Sequence, residues 1–160
     1  MDELKAQRIW VCWHYVMDKG QRKKKPVSAH GTAVGTDEKY RHAWVTYDEA
    51  VTAAKEKGFD GVGFIVPEGY FFFDIDHRSL EDALSKTMFE RFDTYAEYSV
   101  SGEGVHFYGK CDREKIPFYI DSEGRRKLDK AYYTKHPKTQ IELYVGSMTN
   151  RFAVFTGNVI

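Results

Sequence analysis

The sequence has few of the features that mark several common classes of protein. It contains two cysteines, Cys12 and Cys111, and neither lies in a C-x-x-C pair, so they indicate neither a disulfide framework nor a cysteine metal site. Acidic and basic residues balance to a formal net charge of zero, so binding to nucleic acid would depend on local patches. No segment approaches the roughly 18 apolar residues of a membrane helix, and no apolar run follows Met1. We therefore expect a soluble, cytoplasmic protein without a membrane partner.

Several catalytic motifs are missing as well. The phosphate-binding loop G-x-x-x-x-G-K-[ST], the dinucleotide fingerprint G-x-G-x-x-G and the zinc motif H-E-x-x-H do not occur. The G-x-S-x-G turn of serine hydrolases is absent, and neither cysteine has the local signature of a thiol nucleophile. A rolling-circle nuclease would need two histidines around one apolar residue, but Tyr108 stands two residues after His106. These absences disfavour the corresponding reaction classes.

The composition is that of a folded domain rich in strands. The 160 residues are 42% hydrophobic and 16% aromatic, which suits a single domain with a substantial core. Helical patterns alternate with strand patterns, and signals for hairpins outnumber signals for parallel crossovers. We therefore predict an α+β fold, with a mostly antiparallel sheet and helices packed on one face.

The most informative segment is an aromatic run that ends in two acids. In a strand, Asp74 and Asp76 project to the same side about 7 Å apart, while Ile75 points into the core. A hard divalent cation such as Mg²⁺ or Mn²⁺ would relieve the repulsion between the two carboxylates. The alternative is a strand that simply ends in an acidic turn. Residues 61–66 and 70–76 flank a Pro-x-Gly turn, so we expect them to form an antiparallel hairpin.

Two later segments could complete a site with these aspartates. The turn around Ser101 has two glycines and is followed by His106, which suits an anion-binding nest or an ordinary hairpin with a surface histidine. Glu142 lies between apolar residues of a predicted strand, where an acid most often faces solvent. If that strand lies beside the aspartate strand, three carboxylates could hold two divalent cations about 3.5–4 Å apart, as in phosphoryl transfer.

Basic residues concentrate in two segments. Five cations lie within residues 19–25, ahead of Pro26, and they form either a solvated turn or a contact with phosphate. Residues 111–138 are charged and are interrupted by prolines and glycine, so we interpret them as an insertion or a long hairpin.

The three candidate segments occur in the same order as the three motifs of the archaeo-eukaryotic primase superfamily. The sequence resembles the catalytic domain of this superfamily, especially the primase-polymerases of phages and plasmids. That family has an apolar strand ending in D-x-D or D-x-E, then a serine-containing block with a histidine, then a strand with Asp or Glu. The corresponding segments are residues 72–76, 99–106 and 141–144. The similarity extends to the Lys-x-Pro spacing at 24–26, the capped helix from Thr46, residues 60–64 and the tail at 151–157, and so covers nearly the whole chain.

The resemblance implies specific roles for residues. Asp74, Asp76 and Glu142 would be catalytic and would bind Mg²⁺ or Mn²⁺. His106 would contact the phosphates of the incoming nucleotide, with Ser101 nearby. Two weaker transfers from the family, as contacts to phosphate, are Arg151 and Lys24.

The resemblance also implies a fold, an activity and partners. The fold would be an N-terminal α/β unit of about residues 1–60 joined to an RRM-like catalytic unit of about residues 61–160. The activity would be template-directed nucleotidyl transfer, as a DNA primase or DNA polymerase of phage or plasmid-type replication. The partners would be a DNA template and primer, nucleoside triphosphates, and a helicase module or partner, in the host cytoplasm if a phage encodes the protein.

Two departures from the family pattern affect these expectations. The sequence ends at Ile160, where relatives usually continue, so both a fragment of a longer replication protein and a small stand-alone enzyme remain open. No zinc-binding module is recognisable, which favours primer extension over priming from scratch. Two other functions use the same residues: a non-catalytic module that binds single-stranded nucleic acid by aromatic stacking, and a metal-dependent nuclease.

Overall fold

The structure is a computed structural model that describes residues 1–133, 138–139 and 141–160. It has helices and antiparallel sheets, and the predicted α+β class is confirmed. The chain divides into two compact units, which are Met1–Ile65 with Asn150–Phe155 and Val66–Thr149 with Thr156–Ile160. Among the described residues, no helix is long and apolar enough to cross a membrane.

The first unit is a four-stranded antiparallel sheet with one long helix. Its elements are α1 (Asp2–Lys5), β1 (Trp10–Asp18), β2 (Gln21–Val27), a 3₁₀ helix (Glu38–Ala43), α2 (Tyr47–Lys57), β3 (Gly61–Ile65) and β10 (Phe152–Phe155). The strand order is β10-β3-β1-β2, and β2 lies at one edge.

The sequence of α2 explains its limits and its position. The hydroxyl of Thr46 accepts a hydrogen bond from the backbone N–H of Glu49, and the carboxylate of Glu49 accepts one from the backbone N–H of Thr46, so the expected capping box is present. Gly58 ends the helix in the left-handed conformation, at a φ of 68°. The thiol of Cys12 on β1 donates to the carbonyl of Ala50, which shows that this face of the sheet packs against α2.

The second unit is also built on a four-stranded antiparallel sheet. Its elements are β4 (Tyr70–Ile75), α3 (Ala83–Phe92), β5 (Tyr95–Tyr98), β6 (Val105–Lys110), a 3₁₀ helix (Arg113–Lys115), β7 (Phe118–Ile120), β8 (Arg126–Leu128), α4 (Lys130–Tyr133) and β9 (Ile141–Val145). The strand order is β5-β6-β4-β9, in which the first and third strands of the unit form the centre. A β-α-β-β order with this arrangement is RRM-like.

One face of this second sheet forms a core with α3. Ile75, Val105 and Phe107 point to that face, where Met88 and Phe92 of the helix pack against them. Strand alternation therefore directs the neighbouring residues of β4 and β6 to the opposite face.

The insertion predicted for residues 111–138 contains a separate two-stranded hairpin. Strands β7 and β8 pair with each other, and Asp121 accepts from the backbone N–H groups that turn the chain between them. Residues 134–137, at the end of that predicted segment, lie outside the described part of the chain.

The predicted hairpin of residues 61–66 and 70–76 is wrong. Strand β3 pairs with β1 on one side and β10 on the other, while β4 pairs with β6 and β9. Both edges of each strand are therefore occupied by other partners, and the two strands belong to different units. The turn signal at Pro67 and Gly69 is real, but it connects two sheets: Tyr70 donates its N–H to the carbonyl of Pro67.

Candidate functional site

Four polar side chains lie side by side across the second sheet. Glu97, His106, Asp74 and Glu142 occupy directly opposed positions on β5, β6, β4 and β9. Opposed residues of antiparallel strands point to the same face, with their Cβ atoms about 4.5–5.5 Å apart. We call these four residues the polar row. The row places Glu142 on the strand next to that of Asp74, and His106 on its other neighbour.

An aromatic row runs parallel to the polar row on the same face. Tyr95, Tyr108, Phe72 and Tyr144 occupy the positions two residues away on the same four strands. The ring of Phe72 lies 5.1 Å from the imidazole of His106, 4.9 Å from Tyr108 and 5.0 Å from Tyr144 between centroids. Because α3 packs on the other face of the sheet, both rows lie on the face that does not contact this helix.

His106 is enclosed within the polar row, with 2% of its surface exposed. Its Nδ1 lies 3.0 Å from Oε1 of Glu97, and its Nε2 lies 3.6 Å from Oδ1 of Asp74. The hydroxyl of Tyr108 donates to the same Oε1 at 2.9 Å. Burial and the nearby Glu97 carboxylate raise the pKa of Tyr108 well above its usual value, so this tyrosine remains a neutral donor.

The two outer members of the row differ in their surroundings. Glu97 is fully buried, whereas Glu142 is half-buried and accepts a hydrogen bond from the hydroxyl of Tyr144 at 2.6 Å. The side chain of Asp74, between His106 and Glu142, is 20% exposed. The row therefore runs from a buried end at Glu97 to an accessible end at Asp74 and Glu142.

Asp76 lies just beyond the end of β4, against the turn of residues 99–104. In this turn, the hydroxyl of Ser99 accepts the N–H of Gly104 at 3.0 Å, and the hydroxyl of Ser101 accepts the N–H two residues further on. A Cβ at Gly104 would lie 2.5 Å from the carbonyl oxygen of Ile75, so only glycine lets the turn approach the strand end so closely. Ser101 thus belongs to the turn that packs beside the aspartates.

The two weaker candidates for phosphate contact lie in the first unit. Lys24 is on the exposed edge strand β2, with its Nζ 5.6 Å from the ring centroid of Trp13. Arg151 immediately precedes β10. The other five predicted site residues all belong to the second unit.

The donor set around Asp74 suits a hard cation. Carboxylate oxygens are the ligands that Mg²⁺ and Mn²⁺ prefer, and Mg²⁺ is usually held by one or two carboxylates together with substrate phosphates. Among the residues that the structure describes, no group of three or more His, Cys, Asp or Glu side chains forms a complete metal-binding cluster. Asp74 and Glu142, with Asp76 at the strand end, are the residues that would hold such an ion.

Glu97 is a member of the polar row that was not among the residues predicted from the sequence. A signal for it is present, because the turn centred between Ser101 and Gly102 connects two strands whose hairpin register pairs Glu97 with His106. A buried acid opposite His106 needs a hydrogen-bonding or ionic partner.

Neither a scan against models of known protein families nor a search of curated proteins finds a match to this chain.

Proposed function

We propose that the second unit carries a metal-dependent site for nucleotidyl transfer, which makes or extends nucleic-acid strands on a DNA template. The observation that carries this proposal is the juxtaposition of Asp74, Glu142 and His106 on three neighbouring strands. Two adjacent carboxylates at the accessible end of the row fit a divalent cation, and the imidazole beside them fits a phosphate. The RRM-like strand order agrees with the fold that the primase-polymerase resemblance implies.

The reaction would join a strand terminus to an incoming nucleotide. The 3′-hydroxyl of the primer would lose its proton to water and attack the α-phosphorus of a nucleoside triphosphate, a phosphodiester bond would form, and pyrophosphate would leave with the electron pair of the broken P–O bond. Mg²⁺ or Mn²⁺, when bound, would supply charge neutralisation and lower the pKa of the attacking hydroxyl. Asp74, Asp76 and Glu142 would hold the cations, while His106 and the turn of Ser101 would orient the triphosphate. Lys24 and Arg151 are proposed as further contacts to phosphate.

The partners and compartment follow from this reaction. The substrates are a DNA template, a primer and nucleoside triphosphates, and a helicase module or partner would supply unwound template. The proposed location is the cytoplasm, or the host cytoplasm if a phage encodes the protein.

The aromatic row supports a catalytic function over a purely binding one. Phe72, Tyr108 and Tyr144 are each less than 10% exposed, whereas a stacking platform presents its rings to bases. Anions directed toward a nucleic-acid backbone also give a simple binding module no advantage.

Primer extension tests the proposal directly. Wild-type protein, Mn²⁺ or Mg²⁺, nucleotides and a primed template should yield extended strands, and Asp74→Asn should reduce the rate at least about 10³-fold, or about 4 kcal/mol in the barrier. Thr87→Ala, on the exposed side of α3, is the matched control and should extend as wild type does. No extension by wild type, or equal extension by Asp74→Asn, would refute the proposal.

The same assay separates the two alternatives. Strong, salt-dependent binding of single-stranded DNA without incorporation would indicate a binding module. Template-independent cleavage that requires Asp74, again without incorporation, would indicate a nuclease.

The role of His106 needs a separate measurement. His106→Ala should weaken nucleotide binding more than template binding, because only the triphosphate is expected to meet its imidazole. Titration of each ligand into the variant, with circular dichroism melting as the folding control, measures both effects. Equal losses would indicate misfolding or another role.

A further inference from the structure

Glu97 occupies the buried end of the polar row and has no surface exposed. A buried carboxylate is costly unless hydrogen-bond donors surround it. Here five donors do so: Nδ1 of His106, the hydroxyls of Tyr95 and Tyr108, and the backbone N–H groups of Thr156 and Gly157. Such complete satisfaction holds the carboxylate in one orientation.

The backbone donors make this orientation especially rigid. They belong to the segment Thr156–Ile160, which lies along the edge of β5 opposite to β6. There, Tyr98 donates its N–H to the carbonyl of Asn158, and Ile160 donates its N–H to the carbonyl of Ala96. The carboxylate is thus fixed by main chain on one side and by the ring of His106 on the other. A group held in this way can orient a neighbour with little motion of its own.

The contact with Glu97 determines how His106 presents its ring. An ionised carboxylate only accepts, and Oε1 already accepts from Tyr108, so we assign the hydrogen of the 3.0 Å contact to Nδ1 of the imidazole. The opposite nitrogen, Nε2, then faces Asp74, whose Oδ1 lies 3.6 Å away. A hydrogen bond to one ring nitrogen sets which role the other can play.

We propose that Glu97 is a positioning residue for His106, which keeps Nδ1 protonated and directs Nε2 toward the accessible end of the row. That Nε2 meets a triphosphate oxygen there rests on the proposed function, and in that complex Nε2 carries a hydrogen as well, because a phosphate oxygen only accepts. The ring orientation and tautomer do not depend on that function, because they follow from contacts within the sheet. The contact with His106 is additional to the two that anchor the segment Thr156–Ile160, in which Thr156 donates to Oε1 and Gly157 to Oε2 of Glu97.

The tautomer can be measured without any substrate. In ¹⁵N-labelled protein, long-range ¹H–¹⁵N correlation spectra report which ring nitrogen carries hydrogen, and the His106 signals are those lost in His106→Asn. We expect wild type to show a protonated Nδ1. An Nε2–H tautomer with bare Nδ1 in wild type would overturn the proposal, whether or not any variant folds.

A matched pair of variants tests the dependence on Glu97. Glu97→Gln keeps the shape but replaces one acceptor oxygen by a donor, and it should shift the His106 ring signals toward a mixed or Nε2–H population. Tyr95→Phe removes a hydroxyl from Oε2, the oxygen that does not face His106, and should leave those signals in place. Identical ring spectra for wild type and Glu97→Gln would overturn the proposal.

Kinetics then separate this proposal from the proposed function. We expect Glu97→Gln to raise the KM for nucleotide about 10–100-fold with a smaller change in kcat, and Tyr95→Phe to change KM less than about threefold. If wild type has no transferase activity but the ring signals shift as expected, nucleotidyl transfer fails and positioning stands. If wild type is active and Glu97→Gln has the same KM and ring spectra as Tyr95→Phe, the positioning role of Glu97 is refuted and the proposed function is retained.

Discussion

The two units each contain a four-stranded antiparallel sheet, and a row of four opposed residues crosses each sheet. In the first sheet the row is Phe155, Val62, Cys12 and Val27, all apolar and buried. In the second it is Glu97, His106, Asp74 and Glu142. The same geometry thus places side chains of different kinds in opposed positions. An apolar row contributes stability through burial, whereas each buried group of a polar row needs a hydrogen-bonding or ionic partner.

The helices show the same difference. The apolar row faces α2, which the thiol of Cys12 contacts directly. Burial raises the pKa of this thiol to about 11, as expected for a cysteine used as a small apolar residue. In the second unit, α3 packs on the face that carries no polar row, and that face holds the hydrophobic core. The hydrophobic core and the polar row therefore lie on opposite faces of one sheet.

The largest effect on stability is expected in the apolar row. The ring of Phe155 lies 5.2 Å from Trp10 and 5.6 Å from Tyr47, and it is 5% exposed. Phe155→Ala should therefore lower the free energy of unfolding of the first unit by about 3–5 kcal/mol. Urea unfolding followed by tryptophan fluorescence measures this unit alone, because all three tryptophans lie in it.

Asp74→Asn is the corresponding substitution in the polar row. It should change the free energy of unfolding of the first unit, followed by tryptophan fluorescence, by less than about 1 kcal/mol, because Asp74 is not part of the core of the first unit. Transferase activity should follow the opposite order once corrected for the folded fraction. If Phe155→Ala is as stable as wild type, or if Asp74→Asn destabilises the first unit, the contrast between the two rows is contradicted.

Substitution of one glycine in each sheet should have an effect of intermediate size, and the two substitutions are closely matched. A Cβ at Gly63 would lie 2.4 Å from the carbonyl of Ala153 in the first sheet, and one at Gly104 would lie 2.5 Å from the carbonyl of Ile75 in the second. Each substitution by alanine should destabilise its own unit by about 1–3 kcal/mol through overpacking. Only Gly104→Ala should also lower incorporation, by about tenfold or more, because it displaces the strand end beside Asp76.

Unfolding curves and primer extension on the two alanine variants measure both consequences. A greater loss of activity in Gly63→Ala than in Gly104→Ala would contradict the assignment of the chemistry to the second sheet.

The smallest effect is expected at the basic edge of the first sheet. Strand β2 exposes Arg22, Lys23, Lys24 and Lys25, and Lys23 already pairs with Asp18 at 2.6 Å. Replacing the three lysines by glutamine should lower the salt slope for binding single-stranded DNA by up to about 2, at roughly 0.7 per phosphate contact. Fluorescence anisotropy at several salt concentrations measures this slope.

Three lysines of the same unit outside that strand, Lys39, Lys55 and Lys57, provide the control. Their replacement should leave the slope near that of wild type. Equal slopes for both triple variants would show that the β2 cations are merely solvated.

The sequence predicted the class of fold, and it named three of the four members of the polar row as candidates, for identifiable reasons. The capping box at Thr46 and the alternation of β4 depend on local residues, so they could be read directly. The pairing of β3 with β10, and of β4 with β9, joins residues far apart in the chain, and no local pattern specifies it. A turn signal at Pro67 therefore suggested a hairpin that the competing strands exclude.

The missing member of the polar row has the same explanation. Asp74, His106 and Glu142 stand in recognisable motifs, but Glu97 gains its role from a cross-strand pair and from Thr156 and Gly157, which lie far along the chain. Burial of that acid follows from tertiary contacts. The three members of the row that stand in local motifs were thus easier to predict than Glu97, whose partners come from distant parts of the chain.

The central claim is that Asp74 and Glu142 jointly hold a catalytic cation beside His106. The most direct measurement is a crystal structure with Mn²⁺ and a non-hydrolysable nucleoside triphosphate, using anomalous scattering to locate the metal. We predict a Mn²⁺ peak in direct contact with carboxylate oxygens of both residues, with the triphosphate facing Nε2 of His106. A Mn²⁺ peak away from Asp74, or Glu142 turned away from an ion bound at Asp74, would contradict the account.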